Sequence, residues 1–366
     1  MSNSDSPHGQ SGSQHDIVEK IVREAKMFQE RGIGLVGIDL TPARQQWCLA
    51  RLKYEDGLRY VPDSPRLMNG LVELLNEEAD RLASDYLPEA IANWQIALNL
   101  GARLTQVQPD NYETWFNWGN TLHQQAHGFS MTDMPMARES WYFACQKYAH
   151  AFQLAPGQLI ILLNWAGSLA AEGEGEAMWV ENYDAATEKW LQAEQKFSQL
   201  FDADPRFPNL IEQWCIRLLA RSEALTDYKH DVEQAMLLRA KALEKVKHGL
   251  FFDPGNTRLL HIWSNILSDT SSELAETDPE QAFLLEQQSV DKLCEWLRLE
   301  PTSINALMFI TTALTFQARL TKDPLLLDEI YDQYQFYQEQ LWRLSPNLKA
   351  RENPNAAAPE PNLHLH

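Results

Sequence analysis

The sequence of 366 residues predicts an all-α fold built from about seven antiparallel helix pairs. Prolines end a series of similar phrases at steps of 47, 47, 49, 49, 47 and 45 residues. A second apolar phrase follows each of the first six prolines in nearly constant register, and both phrases have the spacing of a helical stripe. A fixed period over most of a chain is typical of stacked repeats. The repeat-ending prolines are Pro62, Pro109, Pro156, Pro205, Pro254, Pro301 and Pro346.

The proline-ended phrase is clearest in Ala144-x3-Tyr148-x2-Ala151-x4-Pro156. A small residue followed four and seven positions later by mostly apolar residues makes one stripe of a helix. Proline then stops the helix because it has no amide hydrogen to continue the backbone ladder. This phrase predicts the second helix of each pair.

The other phrase is clearest in Trp115-x2-Trp118-Gly119-x2-Leu122 and predicts the first helix of each pair. The small residue after the second apolar position allows a neighbouring helix to approach closely. Tryptophan occupies that second position in four consecutive repeats, and its register with the apolar stripe predicts a core role. These residues are Trp118, Trp165, Trp214 and Trp263.

Together the two phrases resemble the tetratricopeptide repeat, and the resemblance covers roughly residues 14–346. It implies a right-handed superhelical solenoid in which the first helix of each pair lines a concave groove. The family's period is about 34 residues, so each unit here carries roughly 11 to 15 more. We expect longer helices joined by longer turns, and the acidic run Glu172–Glu176 is expected to be a solvated, flexible turn.

The chain is expected to contain one repeat array with a tail at each end. Residues 1–13 are polar and rich in Ser and Gly, which predicts a disordered leader. The first helix is expected over about residues 14–30, and the solenoid over residues 14–346. Residues 347–366 are expected to be a flexible tail.

Composition limits the partners and the compartment. The chain has 51 Asp and Glu against 31 Lys and Arg, a formal charge of −20. Such a surface disfavours nucleic acids and anionic membranes and favours a basic protein or peptide. No apolar run approaches a membrane span, and no targeting segment is recognised. The four cysteines have neither disulfide-framework nor zinc-site spacing. A cytoplasmic location is expected.

The resemblance to tetratricopeptide repeats implies that extended peptides or partner helices bind in the groove. Asn side chains offer both donors and acceptors, so a row of them suits the backbone of an extended peptide. The alternative is that these residues only solvate a helix face. The candidate groove residues are Asn69, Glu73, Glu113, Asn117, Asn120, His123, Asn164, Gln213, His261 and Asn265.

Other chemistry has weaker support in the sequence. No catalytic motif is found, so we expect a protein that is not an enzyme and has no cofactor. His123 and His127 have a spacing that can bind a metal, but no third ligand is near in sequence, and no metal site is expected. The phrase from Pro109 to Trp115 resembles one in protein prenyltransferase α-subunits, but it occurs once.

The favoured function is a non-catalytic scaffold, adaptor or assembly factor that binds a partner segment in an acidic, Asn-rich groove. One alternative is a structural homo-oligomer formed through the aromatic last helix, with Tyr331, Tyr334, Tyr337 and Trp342 as its interface. A further alternative is a helical regulatory subunit of an enzyme complex.

Overall fold

A computed structural model describes residues 8–37, 40–179 and 181–348, and all regular structure within them is helical. The predicted all-α helical-repeat fold is confirmed. The chain divides into two compact units, Met1–Pro205 and Arg206–His366. The helices of the first unit are α1 (His8–Gly34), α2 (Thr41–Tyr60), α3 (Pro65–Leu82), α4 (Leu87–Val107), α5 (Tyr112–Phe129), α6 (Met134–Leu154), α7 (Leu159–Trp179) and α8 (Tyr183–Ala203).

The second unit continues the pattern of antiparallel pairs. A π-helical turn, Leu225–Lys229, extends the first of its helices, and His230 in the left-handed region of backbone space ends it. The helices are α9 (Leu210–Ala224), α10 (Val232–Phe252), α11 (Thr257–Leu274), α12 (Pro279–Leu299), α13 (Ile304–Leu320) and α14 (Pro324–Leu344). Together the described residues form the seven pairs that the sequence predicts.

Each second helix ends two residues before its repeat-ending proline. α6 ends at Leu154 before Pro156, for example, and α12 ends at Leu299 before Pro301. The steric demand of a proline disfavours helical geometry at the residue before it, so the helix stops one position earlier. The regular proline step therefore fixes where every pair ends.

The extra residues of each repeat lengthen the helices and not the turns. The second helices from α4 to α14 have 21 residues each, and the turn between α5 and α6 is only residues 130–133. The expectation of longer turns was wrong. From α6 onward a capping side chain starts each second helix after a short turn, as when Asp133 accepts from the backbone N–H of Met136 at 3.2 Å.

The acidic run Glu172–Glu176 is helical and buried within α7 except for the half-buried Glu174, so the expectation of a solvated turn was wrong. Its glycines let tryptophans approach the helix backbone. A Cβ on Gly173 would lie 2.8 Å from the indole of Trp190, and one on Gly175 would lie 3.2 Å from the ring of Trp141. The sequence pattern of alternating Gly and Glu is therefore a packing surface.

The two buried glutamates of this run are paired with basic residues of other helices. Glu172 lies 2.8 Å from the ammonium of Lys189 in α8, and Glu176 lies 2.5 Å from the guanidinium of Arg138 in α6. Burial raises the pKa of Glu172, although Lys189 opposes the shift. Ion pairing makes the burial of these carboxylates tolerable.

The ends of the array differ in part from the sequence expectation. α1 begins at His8, so residues 8–13 belong to the first helix and not to a leader. An existing helix gains one hydrogen bond for each residue that it adds, which allows polar residues to extend it. Residues 1–7 and 349–366, the rest of the expected leader and most of the expected tail, lie outside the described residues. None of the described helices is long and apolar enough to cross a membrane.

Candidate functional site

The candidate residues lie on the first helices of the pairs, and we call the surface that these helices form in each unit its first-helix face. In the first unit this face consists of α1, α3, α5 and α7, and each of these helices packs against the next. In the second unit α9 packs against α11 in the same way. Residues one repeat apart are therefore neighbours on this face.

Asn120 and Asn164 lie next to each other on α5 and α7. The amide nitrogen of Asn164 donates to the side-chain oxygen of Asn120 at 2.9 Å, and the hydroxyl of Tyr148 donates to the same oxygen, also at 2.9 Å. Tyr148 is buried on α6. The two predicted groove residues therefore join three helices, and part of their hydrogen-bonding capacity is used within the fold.

His123 takes part in a second polar contact between α5 and α7. Its Nδ1 lies 2.6 Å from the hydroxyl of Ser168, and its Nε2 lies 3.1 Å from Nε2 of His127. The two rings meet edge to face. No group of three potential metal ligands exists among the described residues. The arrangement is that of packed, hydrogen-bonded histidines.

Polar contacts also join α3 to the first helices on either side of it. Asn76 donates to the hydroxyl of Thr121 at 2.8 Å, across α3 and α5. Glu73, an exposed candidate residue, lies 3.6 Å from the ammonium of Lys26 on α1. Polar residues one repeat apart thus hold successive first helices together.

The remaining candidates of the first unit have different surroundings. Asn117 is half-buried, and only its backbone carbonyl has a described hydrogen bond, from Thr121 at 3.1 Å. Glu113 is exposed and accepts from the hydroxyl of Tyr112 at 3.4 Å. Asn69 is half-buried, and its side-chain oxygen is buried without a described partner. Asn117 and Glu113 are the candidates best placed to meet a ligand.

The phrase Pro109–Trp115 has a local structural role. Asn111 caps α5 by accepting from the backbone N–H of Glu113 at 3.0 Å, and the indole of Trp115 donates to the carbonyl of Pro109 at 2.7 Å. These two bonds fix the turn before α5. The phrase therefore has a structural role at the start of α5.

In the second unit, the candidate His261 is part of an aromatic stack. Its ring lies 4.3 Å from that of Phe309 with an interplanar angle of 29°, and 5.4 Å from that of Trp296. Burial lowers the pKa of His261, which favours the neutral imidazole. Gln213 on α9 is half-buried. His261 therefore joins α11 to α12 and α13.

Asn265, the last candidate, lines an open cavity of about 480 Å³ within the second unit. The walls come from α11 and α13, and α12 forms the floor. Hydroxyl side chains dominate the lining, with two phenylalanine rings, one carboxylate and one guanidinium. The lining residues are Ser264, Asn265, Ser268, Asp269, Ser272, Ser289, Leu293, Phe309, Thr312, Ala313, Thr315, Phe316 and Arg319.

Each of the four register-equivalent tryptophans has a lysine ammonium over its ring. The distances from ammonium to ring centroid are 3.9 Å for Lys147 over Trp118, 4.0 Å for Lys196 over Trp165, and 4.4 Å for the other two pairs, Lys245 over Trp214 and Lys292 over Trp263. Only Trp214 is fully buried. The predicted core role holds for Trp214, whereas the other three are half-buried with one face covered by lysine.

The aromatic residues of α14 are divided between packing and exposure. Tyr334 and Tyr337 pack against the core of the second unit, and the Tyr337 hydroxyl lies 3.2 Å from the sulfur of Cys294. Trp342 is half-buried, whereas Tyr331 and Phe336 are each 60% exposed. Of the predicted interface residues, Tyr331 is thus the most available to a second molecule.

The sequence reasoning missed three features of the site. It did not anticipate that Asn120 and Asn164 would bond to each other, nor did it recognise the cavity around Asp269 or the lysines over the tryptophans. A signal for the last was present, because lysine stands nine residues before the repeat-ending proline in all four of these repeats. The cavity had no such signal, since its lining comes from three helices.

Comparison with known proteins adds information about the fold alone. No protein-family model matches the chain, and no curated protein matches its sequence. A solved structure described as the hypoxic regulator of sterol synthesis Nro1, a nuclear import adaptor, has a TM-score of 0.51 to this chain. The two sequences are 13% identical, and the alignment covers 90% of this chain and 94% of the Nro1 chain.

Two further structures are more distant. A circular tandem repeat protein with a novel repeat topology has a TM-score of 0.35 and 13% identity over 94% of this chain and 87% of its own. The human IFIT1 dimer has a TM-score of 0.34 and 11% identity over 97% and 79%. The likeness to Nro1, together with the seven helix pairs, identifies the chain as an all-α helical-repeat protein.

Proposed function

We propose that this protein is a non-catalytic adaptor or scaffold that binds a basic segment of a partner protein on its first-helix face. The proposal is supported by a difference between the polar residues of that face: some bond to neighbouring helices and others do not. Asn120, Asn164 and His123 hold neighbouring helices together, whereas Asn117 and Glu113 keep amide and carboxylate groups available beside them. A rigid polar face of this kind suits recognition of a peptide backbone.

Charge supports a basic protein partner. The chain carries a formal charge of −20, and two basic residues of the first-helix face are already paired: Arg66 lies 3.2 Å from Glu19, and Arg258 lies 3.2 Å from Glu212. An acidic surface accelerates association with basic partners and repels phosphate backbones. We therefore propose a protein partner in preference to a nucleic acid.

The fold is compatible with an adaptor function. Nro1, which has a similar fold at 13% identity, is described as a nuclear import adaptor. That description applies to Nro1, and here it supports no more than the general class of function. The four cysteines are unpaired, which is compatible with a reducing compartment such as the cytoplasm.

The test is affinity capture from native lysate at low and high salt, with two double variants compared. Asn117→Ala with Glu113→Gln changes the first-helix face, and Asn99→Ala with Glu188→Gln changes exposed positions on second helices. We expect one basic partner that is lost at high salt and with the first variant only. Equal capture by both variants, with unchanged helical circular dichroism, would show that the first-helix face is not the site.

A second candidate function is self-association through α14. It is favoured by the exposure of Leu325, Tyr331 and Phe336, which are 74%, 60% and 60% exposed. An exposed apolar patch is typical of an interface, and Leu325 and Phe336, eleven positions apart, fall on the same side of α14. Self-association predicts a mass that rises with concentration and falls to that of a monomer in Tyr331→Asp with Phe336→Asp. A monomer at all concentrations would exclude this candidate.

A further inference from the structure

The cavity between α11, α12 and α13 is lined by six hydroxyl side chains, and all of them except that of Ser272 donate their hydrogen to a described acceptor. Four of its hydroxyls donate to backbone carbonyls and one donates to a buried carboxylate, at distances of 2.7 to 3.1 Å. A hydroxyl that has donated its hydrogen can only accept from a further partner. The residues concerned are Ser264, Ser289, Thr312, Thr315 and Ser268.

The carboxylate of the cavity lacks a counter-charge within bonding distance. Asp269 has no hydrogen bond or ion pair among the residues that the structure describes. Behind it, the fully buried Glu286 accepts from Ser268 at 3.1 Å, and its other oxygen is buried without a partner. The nearby cation Arg239 is engaged with Glu273 at 2.5 Å. The site is therefore acidic and rich in acceptors.

Two aromatic rings complete the lining. Phe309 and Phe316 both belong to α13 and border the cavity. Aromatic faces attract cations, and a planar guanidinium can stack on them while its N–H groups bond to acceptors in its plane. A cavity of about 480 Å³ is larger than such a group requires, which leaves room for the side chain that carries it.

We propose that this cavity holds the guanidinium of an arginine in the bound partner segment, with Asp269 as its counter-charge. The inference rests on the proposed function, because the cavity includes Asn265 of the first-helix face. The hydroxyl oxygens accept from the remaining N–H groups of the guanidinium. The cavity is thus a binding site for arginine on the first-helix face of the second unit.

Removal of the Arg319 charge should affect the binding of a charged ligand in the opposite direction to removal of the Asp269 charge. Its guanidinium also borders the cavity, and it has no hydrogen bond or ion pair in the described part of the chain. A cationic ligand is repelled by this residue and attracted by Asp269, whereas an anionic ligand would show the reverse. Removing the two charges separately therefore distinguishes the sign of the ligand.

The experiment measures the binding of fluorescently labelled nona-arginine to the full chain by anisotropy at low salt. The variants are Asp269→Asn, Arg319→Gln and, as a matched control, Glu276→Gln, which removes one exposed charge at the turn between α11 and α12. Nona-lysine serves as a second probe. The variants are compared only after circular dichroism confirms that their helix content equals that of the wild type.

We expect Asp269→Asn to weaken nona-arginine binding about tenfold or more, which is about 1.4 kcal/mol. Glu276→Gln should weaken it less than about twofold, and Arg319→Gln should strengthen it. Nona-lysine should bind more weakly than nona-arginine. These results together would support the cavity as an arginine site.

Three results would overturn the inference. If Asp269→Asn and Glu276→Gln weakened binding equally, only the general acidity of the surface would matter and the arginine site would be wrong. The proposed function would still stand in that case if Asn117→Ala with Glu113→Gln abolished partner capture. Weaker binding in Arg319→Gln would indicate an anion site. If N-acetyl-arginine amide displaced the labelled probe at the same concentration as unlabelled nona-arginine does, the cavity would be a site for a small cation and not for a peptide segment.

Discussion

The side chains of Asn164 and Asn120 are joined across α5 and α7 by a hydrogen bond of 2.9 Å, although the two residues are 44 positions apart. The same Asn120 oxygen accepts from the buried Tyr148. The amide row that suggests a peptide-binding groove is therefore also part of the contact between repeats. The proposed recognition surface therefore overlaps with the contact between repeats, and substitutions there must be designed so that effects on binding and on stability can be separated.

Asn164→Ala should destabilise the protein, whereas Asn117→Ala at the equivalent position of the preceding repeat should not. Asn164 loses a hydrogen bond between helices, at a cost of about 1 kcal/mol, while the Asn117 side chain has no described bond to lose. Urea denaturation followed by circular dichroism measures both. Equal midpoints for the two variants would show that the bond between the asparagines contributes nothing to stability.

Gly173→Ala should destabilise the protein by about 1–3 kcal/mol because the added Cβ would lie 2.8 Å from Trp190 and 3.1 Å from the carbonyl of Ala186. Gly167→Ala is the matched control in the same helix, since nothing lies within 4 Å of its Cβ position. That variant should stabilise α7 by about 0.5–1 kcal/mol, as alanine is the better helix former. Thermal unfolding measures the stability of both variants relative to the wild type. If both variants were more stable than the wild type, α7 and α8 would have to move apart freely.

Glu286→Gln should make stability less dependent on pH between about 4.5 and 7. Burial raises the pKa of Glu286 to about 7, so in this range the folded state binds more protons than the unfolded state. Stability therefore falls as the pH rises, and the loss, of the order of 3 kcal/mol, is complete above the folded pKa.

The measurement for Glu286 is the free energy of unfolding in urea at pH 5 and at pH 8, for the wild type and the variant. Glutamine keeps the acceptor for Ser268 and removes the ionisation, so its advantage should be large at pH 8 and small at pH 5. A constant difference between the two proteins at both pH values would contradict the raised pKa.

Lys147→Met should cost about 0.5–1 kcal/mol of stability because it removes the ammonium 3.9 Å above the ring of Trp118 and keeps the apolar stem. Gln146→Met, at the exposed neighbouring position, is the control and should be close to neutral. Chemical denaturation with tryptophan fluorescence measures both. Equal stability of the two variants would mean that only the lysine stem matters.

The sequence predicted the fold well and the site only in part, for a physical reason. Helix pairs arise from local signals, such as the proline step and the apolar stripe, which are visible in one repeat and confirmed by the others. The partner of a polar side chain depends on the distance between helices. Asn120 and Asn164 were identified as members of one face, but the contact between them and the burial of Glu172 follow from packing that no single repeat contains.

The ion pairs of the buried acidic run limit how independent the repeats of the first unit can be. Glu176 belongs to the fourth helix pair, but its counter-charge, Arg138, is supplied by the third. Deletion of the third pair, or transfer of the fourth to another array, would separate Glu176 both from its counter-charge and from the helix that covers it. The third and fourth pairs are therefore expected to work together and not as interchangeable copies, although their sequence period is regular.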